Sequence, residues 1–165
     1  MEKLLLAVDD SEASWRAVEQ TAGLIKDQPD VYVHIFHAIG PVPTSLQEFR
    51  GAEDPVEERI LDRDLKSRQD AWLQKARAAG DLLLARAQDC LAQSGGSPDR
   101  ISTETVTLRH REDLPAEILH AAHVCGCTRI IVGRNSFSWM DELFSDHLGE
   151  QIQKSADGVS VSVVG

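Results

Sequence analysis

Five short apolar segments recur along the chain, and a stretch with helical periodicity separates each segment from the next. The apolar segments span residues 3–8, 31–39, 101–109, 128–133 and 158–164. Runs of this length that are rich in valine, isoleucine and leucine are typical of buried strands. Strands that alternate with helices predict an open parallel five-stranded sheet with helices on both faces. The sequence therefore predicts an α/β fold, and 165 residues suit one domain that spans residues 1–165.

Four stretches have the spacing of amphipathic helices: residues 11–26, 56–92, 114–126 and 146–155. Asp10 or Ser11 is expected to cap the first of these helices. Within the long second helix, Gly80 either bends the helix or lets a neighbour approach closely. Apolar residues of that helix follow spacings of three, four and seven, which predicts one core-facing stripe of Leu61, Leu65, Trp72, Ala76, Ala79, Leu83, Ala87 and Cys90.

The position of a ligand site follows from the predicted sheet. Ligands of parallel α/β sheets bind beyond the carboxyl ends of the strands. We therefore expect a site formed by residues 8–10, residues 38–40 and the residues from Val132 onward. Segment 40–55 carries three prolines and two glycines, which predicts an irregular surface loop. We expect this loop to be mobile and to lie beside the mouth of the site.

The charge balance limits the partners of the chain. There are 17 lysines and arginines against 27 aspartates and glutamates, a formal net charge of -10. This excess of negative charge argues against nucleic acid or an anionic membrane as the main partner. The N-terminus does not resemble a signal peptide, and no stretch approaches the ~20 apolar residues of a membrane span. Because the three cysteines form no disulfide framework, we expect a cytoplasmic protein.

Two stretches carry a resemblance to a known family. "LLLAVDDSEASWRAVEQ" and "DLPAEILHAAHVCGCTRIIVG", followed by the start of a glycine motif at Gly133, resemble the universal stress proteins. The resemblance covers nearly the whole chain and implies an adenine-nucleotide alpha hydrolase-like sheet with strand order 3-2-1-4-5. It also implies a homodimer formed through the C-terminal strand. In that strand Val159, Val161 and Val163 alternate with serines, so one apolar face can pair with a second copy.

The same resemblance implies a site for ATP or AMP. In nucleotide-binding members the acidic residue after the first strand, here Asp9, contacts the nucleoside, and the glycine motif holds the phosphates. Carried over to this chain, the candidate nucleotide-binding residues are Ala7, Val8, Asp9, Ala38, Val132, Gly133, Arg134 and Ser136. The motif then departs from the family pattern, because Ser136 and Asp146 replace its second and third glycines and His147 replaces its serine or threonine.

This departure has a direct physical consequence for phosphate binding. Glycines let the backbone approach a polyphosphate and direct N–H groups toward it. Asp146 instead adds a negative charge, and two like charges about 4 Å apart repel by ~4 kcal/mol at an effective dielectric of 20. Asp146 is also a good N-cap for the helix that follows. The sequence therefore predicts weak or absent ATP binding, with adenosine or AMP affected less than ATP.

Several residues admit two interpretations. Asp9 is either a turn residue at the first helix or a ligand contact. Arg134 either binds a phosphate or is a solvated side chain.

"HAAHVCGC" offers four soft metal ligands, but its spacing favours exposed histidines and small core-edge cysteines, so we expect no metal. Adjacent helical positions do not face each other, which argues against an acid–base pair of Asp146 and His147. The cluster of Trp139, Met140, Leu143 and Phe144 is either a local lid or a contact surface.

The functional expectation is a regulatory or binding module of the universal stress type. No P-loop, nucleophile elbow or pair of catalytic carboxylates is evident in the sequence. The alternative is an ATP- or AMP-binding switch with slow hydrolysis, in which Asp146 and His147 accommodate a metal-bound phosphate. An adenylyl-transferring enzyme of the same fold class is less favoured, because the histidine-containing phosphate motif of such enzymes is absent near the first helix.

Overall fold

The computed structural model describes residues 1–47, 53–134, 136–137, 148–155 and 158–165. Helices and strands alternate along this part of the chain as the sequence predicts. In chain order they are β1 (Lys3–Ala7), α1 (Glu12–Asp27), β2 (Tyr32–Ile39), α2 (Thr44–Gln47), α3 (Pro55–Gln93), β3 (Ile101–Thr107), α4 (Leu114–Cys125), β4 (Arg129–Gly133), α5 (Leu148–Ser155) and β5 (Ser160–Val164). Single turns of 3-10 helix, Pro98–Arg100 and Arg111–Asp113, precede β3 and α4.

The five strands form one sheet with the order β3-β2-β1-β4-β5. All four neighbouring pairs are parallel, and in the centre Leu6 of β1 lies in register with Ile35 of β2 and Ile131 of β4. The predicted fold class and strand order are therefore confirmed. β3 and β5 are the two edge strands, and the carboxyl ends of β1, β2 and β4 meet at one edge of the sheet.

Two apolar clusters cover the two faces of the sheet. Leu4 and Leu6 of β1 pack with α1 and the C-terminal part of α3. Leu5 and Ala7 point to the opposite face and pack with α4 and with Ile152 of α5. Because successive strand residues alternate between faces, a continuous apolar run is the pattern that a doubly covered strand requires.

The ends of the helices follow local chemistry. The Ser14 N–H donates to Ser11 Oγ at 3.2 Å, so Ser11 is the N-cap of α1. Asp113 stands at the N-cap position of α4, but its side chain makes no capping hydrogen bond. Helix α4 ends at Gly126, whose φ of 70° lies in the left-handed region that glycine adopts without steric cost.

Helix α3 differs from the sequence prediction in its first half. Leu84, Ala87 and Leu91 are buried, whereas Val56 and Ile60 are 62% and 61% exposed and Leu61 of the predicted stripe is 39% exposed. The prediction of one core-facing stripe is therefore wrong near the N-terminus of the helix. A helix of 39 residues is ~58 Å long, about twice the ~26 Å length of an eight-residue strand. The helix consequently extends beyond the sheet that it covers.

The segment after β2 is more regular than predicted. It contains the one-turn helix α2, in which the Leu46 N–H donates to the Pro43 carbonyl oxygen at 2.8 Å. The Gln69 side chain of α3 donates to the Leu46 carbonyl oxygen at 2.6 Å, which fixes this turn against the long helix. Within the described ranges, no helix combines the length and apolar character needed to cross a membrane.

Candidate functional site

A cavity of about 360 Å³ lies at the carboxyl ends of β1 and β2, beside the middle of α3. This is the edge of the sheet where the sequence predicts a ligand site. Its described lining comes from the strand ends (Asp9, Asp10, His37, Ala38, Ile39), the following loop (Gly40, Pro41, Pro43), helix α3 (Trp72, Ala76, Ala79, Gly80, Leu83) and the turn after β3 (Arg111). The lining is mainly apolar, with two carboxylates, one imidazole and one guanidinium.

The Asp9 carboxylate is buried and is fully engaged by the chain itself. Its Oδ1 accepts from the Ser11 N–H at 2.9 Å and from the Ser11 hydroxyl, and its Oδ2 accepts from the Phe137 N–H. The Asp9 N–H in turn donates to Ser14 Oγ at 2.8 Å. Asp9 therefore joins the start of α1 to the segment after β4, and it stabilises α1 through Ser11 rather than by capping the helix directly.

Close backbone packing explains Gly133 at the end of β4. A Cβ at this position would lie 2.6 Å from the Ala13 carbonyl carbon and 2.6 Å from Ser136 Oγ. The Ser136 hydroxyl is buried and has no hydrogen-bond partner among the described residues. Phe137 has a φ of 62°, which is uncommon for a residue with a bulky side chain. Its ring is fully buried, so apolar burial offsets the strain of this turn.

His37 and Gly80 form the contact between β2 and α3 at the cavity. His37 Nδ1 lies 2.8 Å from the Val8 carbonyl oxygen, so Nδ1 carries the proton of the neutral ring. A Cβ on Gly80 would lie 2.9 Å from His37 Cδ2 and 3.2 Å from Nε2. Of the two roles predicted for Gly80, the close approach of a neighbour is the one observed. The neutral imidazole therefore leaves Nε2 as a hydrogen-bond acceptor on a residue that lines the cavity.

The predicted nucleotide-binding residues separate into four groups. Asp9 and Ala38 line the cavity. Ala7, Val8 and Val132 are buried within or directly after the central strands. Gly133 and Ser136 lie under the first turn of α1, as the contact with Ala13 shows. The Arg134 side chain is exposed, and the backbone N–H of Arg134 donates to the Val164 carbonyl oxygen at 2.6 Å. The altered motif residues Asp146 and His147 lie outside the described residues, as does the cluster at positions 139–144.

Sequence reasoning missed the contribution of α3 and of Arg111 to the cavity. Trp72, Ala76, Ala79 and Leu83 belong to the apolar stripe that the sequence predicts to face the core, and they line the cavity instead. Periodicity shows that one side of a helix is apolar, and it does not show whether that side meets a core or a cavity. Arg111 follows β3, and no sequence signal separates it from other exposed arginines.

The histidines and cysteines near Gly126 do not form a metal site in the described residues. No group of three or more His, Cys, Asp or Glu side chains in these ranges is placed to hold an ion. His120 and His123 are exposed, whereas Cys127 is buried in the cluster under α4 and Cys125 packs against that cluster. This placement agrees with the interpretation of the cysteines as small residues at the edge of the core.

Several solved structures share this fold over nearly the whole of this chain. UspA from Lactobacillus plantarum superposes with a TM-score of 0.64 at 15% identity, covering 99% of this chain and 97% of the other. The chain has the universal stress protein fold. No family model and no curated protein sequence matches the chain, so its likeness to known proteins is one of fold.

Two further structures with the universal stress protein fold are described with a bound nucleotide. One, a universal stress protein in complex with cAMP, has a TM-score of 0.58 at 14% identity and covers 99% of this chain and 96% of its own. The other, the universal stress protein from Archaeoglobus fulgidus in complex with dAMP, has a TM-score of 0.56 at 13% identity, with 100% and 98% covered. Both ligands named for these proteins are nucleoside monophosphates.

Proposed function

We propose that the chain is a cytoplasmic member of the universal stress protein family and acts as a stress-response regulatory module that binds adenosine or AMP. The observation that carries this proposal is the cavity of about 360 Å³ at the carboxyl ends of β1 and β2, to which Asp9 and Ala38 contribute. Small-ligand sites typically have volumes of roughly 300–1,000 Å³, so this cavity suits a ligand of modest size. The cAMP and dAMP complexes of proteins with the same fold support a monophosphate.

The polar residues that line the cavity favour a ligand with few phosphate groups. The described lining residues include two carboxylates, those of Asp9 and Asp10, and a single guanidinium, that of Arg111. The Phe137 N–H, a backbone donor that an anion could otherwise accept from, is already engaged by Asp9. Each additional negative charge on a ligand therefore meets more repulsion than attraction. We expect ATP to bind weakly or not at all.

The cavity wall also suits a flat base with an exocyclic amine. Trp72 lines the cavity, and base–aromatic stacking contributes roughly 1–3 kcal/mol per base. His37 Nε2 is an acceptor, because Nδ1 donates to the Val8 carbonyl oxygen. An adenine amine can donate to this nitrogen, whereas a carbonyl oxygen at the same place would face a lone pair. This pairing favours adenine over bases that present only acceptors.

Calorimetry with adenosine, AMP, ADP and ATP tests the proposal, together with a variant that fills the cavity. Ala76→Phe places a ring in the cavity, and Ala78→Phe places the same ring on the exposed side of α3 as a control. We expect AMP to bind the native chain and the control with equal affinity and to lose about tenfold or more in affinity for Ala76→Phe. Equal binding by both variants, or ATP binding as tight as AMP binding, would contradict the proposal.

The altered glycine motif provides a second test. The double substitution of Asp146 by Gly and His147 by Ser restores the residue types of the family pattern. We expect a gain in ATP affinity because the substitution removes one negative charge from the motif that holds the phosphates in the family pattern. Titration of ATP into the double variant and the native chain measures the gain. An unchanged ATP affinity would show that Asp146 is not the obstacle.

We further propose that two copies associate through β5. The alternate valines here become more exposed toward the C-terminus: Val159, just before the strand, is buried, Val161 is half-buried and Val163 is 43% exposed. An unpaired strand edge with an apolar face can extend its sheet with a second copy. Light scattering should show a dimer at micromolar concentration and a monomer for Val163→Lys. A native chain that is monomeric at this concentration would overturn the assembly.

A further inference from the structure

A serine, a histidine and a glutamate form a hydrogen-bonded chain on the α4 face of strands β2 and β3. His34 Nδ1 lies 2.7 Å from Ser102 Oγ, and His34 Nε2 lies 2.8 Å from Glu104 Oε2. The strand register explains the arrangement. His34 pairs directly with Ser102 across the parallel ladder, and Glu104 follows two residues later on the same face of β3.

The hydrogen-bond chemistry fixes the tautomer of His34. An ionised Glu104 only accepts, so His34 Nε2 must carry the proton that it donates to Oε2. The neutral ring then has a lone pair on Nδ1, and this lone pair accepts from the Ser102 hydroxyl. In this tautomer the imidazole acts as a base toward the hydroxyl while a carboxylate orients it, which is the relationship that activates serine nucleophiles.

The exposure of His34 and Ser102 suits a reaction at Ser102. The His34 side chain is only 10% exposed, whereas Ser102 is exposed. Ser102 also borders a cavity of about 230 Å³ at the amino ends of the strands. Six of its eight described lining residues carry a polar or thiol side chain, namely Lys3, Tyr32, His34, Ser102, Cys125 and Cys127. A small molecule can therefore reach the hydroxyl while the base stays shielded from solvent.

The two cysteines of this cavity are poor competitors as nucleophiles. Burial, followed by the charge of Glu104, raises the pKa of the Cys125 thiol, and the opposing effect of Lys3 is smaller. Burial raises the pKa of Cys127 to about 11. Both thiols therefore stay protonated at neutral pH, and only the thiolate is strongly nucleophilic. Ser102 remains the side chain that an adjacent base activates.

We propose that Ser102 is an acyl-accepting nucleophile, activated by His34 and positioned through Glu104, that cleaves short-chain carboxylic esters. The Ser102 oxygen forms a bond to the acyl carbon while its proton passes to His34 Nδ1. The bond between the acyl carbon and the leaving alcohol breaks, and the alcohol takes the proton from His34. Water then cleaves the acyl-serine by the same proton route, which releases a carboxylic acid and restores the hydroxyl.

Lys3 provides the positive charge of this site. Among the described residues that line the cavity, it is the one cation, and its ammonium group lies 5.6 Å from the centre of the Tyr32 ring. A cation that lines the same cavity favours the negative charge that develops on the carbonyl oxygen of the ester. The site lies at the end of the sheet opposite the adenosine or AMP cavity, so this activity goes beyond the proposed function and does not depend on it.

Covalent labelling of the full chain tests the nucleophile. The protein is incubated with a fluorophosphonate or with p-nitrophenyl acetate, and mass spectrometry locates the adduct. We expect the adduct on Ser102 and a loss of about a hundredfold in labelling rate for Ser102→Ala. Ser160→Ala is the matched control, because Ser160 is an exposed strand serine whose hydroxyl donates to a backbone carbonyl. No adduct, or an adduct only on Cys125, Lys3 or another residue, would overturn the proposal.

Two substitutions of Glu104 separate positioning from stability. Glu104→Asp keeps a carboxylate that accepts from His34 Nε2, whereas the amide of Glu104→Gln can also donate and so stabilise the opposite tautomer. We expect Glu104→Gln to label about tenfold more slowly and Glu104→Asp to keep most of the native rate, with the same melting temperature for both. Equal labelling rates for the two variants would show that Glu104 does not orient His34.

Discussion

The two ends of the sheet use their buried polar groups in opposite ways. At the carboxyl ends, the Asp9 carboxylate is buried and accepts from two backbone N–H groups and a hydroxyl. At the amino ends, the Glu104 side chain is 39% exposed and accepts from His34, which leaves a serine hydroxyl facing a cavity. The Asp9 carboxylate, whose two oxygens both accept from groups of the protein itself, stabilises the fold. Within the described part of the chain, the Glu104 carboxylate accepts only from His34, so the Ser102 hydroxyl on the other side of the histidine remains available for chemistry.

The largest expected effect comes from removing Asp9. Asp9→Ala leaves the N–H groups of Ser11 and Phe137 without their acceptor, and each unsatisfied buried donor costs about 1–3 kcal/mol. We expect the free energy of unfolding to fall by roughly 3 kcal/mol in urea titrations. Asp10→Ala is the control, because the neighbouring Asp10 is exposed. Equal losses for the two variants would mean that Asp9 has no special structural role.

Gly133 tests the same end of the sheet through packing. Gly133→Ala places a methyl group 2.6 Å from the Ala13 carbonyl carbon. Because the backbone of α1 must shift, we expect a loss of about 2 kcal/mol in the free energy of unfolding. Gly23→Ala in α1 meets no atom within 4 Å, and its better helix propensity should stabilise the chain by about 0.5–1 kcal/mol. The two alanine variants should therefore move the urea midpoint in opposite directions; movement in the same direction would contradict the packing argument.

At the other end of the sheet, Glu104→Gln should change stability little. Because the Glu104 side chain is 39% exposed, solvent competes for its hydrogen bond with the neutral His34 ring. A typical hydrogen bond contributes about 0.5–1.5 kcal/mol, so the same urea titration should show a loss well below that of Asp9→Ala. A loss of similar size would mean that the histidine and glutamate hold the edge strand β3 in place, and the contrast between the two ends would fail.

The mildest test is alkylation of the thiols, which changes no residue of the sequence. Burial raises the pKa of Cys127 from 9.0 to about 11, so at pH 8 its thiolate fraction is about a hundredfold below that of an unshifted thiol. The Cys127 thiol loses its proton at a higher pH in the folded state than in the unfolded state. Its contribution to stability is therefore lost as the pH rises from 9 toward 11. Iodoacetamide followed by mass spectrometry should modify Cys125 before Cys127, with Cys127 reacting faster as the pH rises. Rapid modification of Cys127 at pH 8 would contradict its burial.

Local patterns in the sequence predicted most of the fold. The apolar runs of β1 and β4 and the stripe of α1 each require burial of a repeated set of residues, and that requirement does not depend on distant partners. The cap at Ser11 and the left-handed Gly126 are equally local. Two predictions were wrong: the first half of α3 is exposed rather than core-facing, and the predicted irregular loop contains the short helix α2. Whether a regular segment meets a core depends on how far the neighbouring elements extend.

The candidate site was predicted only in part, for the same reason. The sequence determined that Asp9 and Ala38 stand at strand ends, because parallel strands place their carboxyl ends at one edge. Only the tertiary structure decided that Asp9 accepts from the Phe137 N–H, 128 residues away, and that His34 lies between Ser102 and Glu104, 68 and 70 residues away. Hydrogen-bond partners on different strands are set by register and by close packing. Periodicity along one strand reports which residues are buried, and it carries no information about which distant side chain each of them will meet.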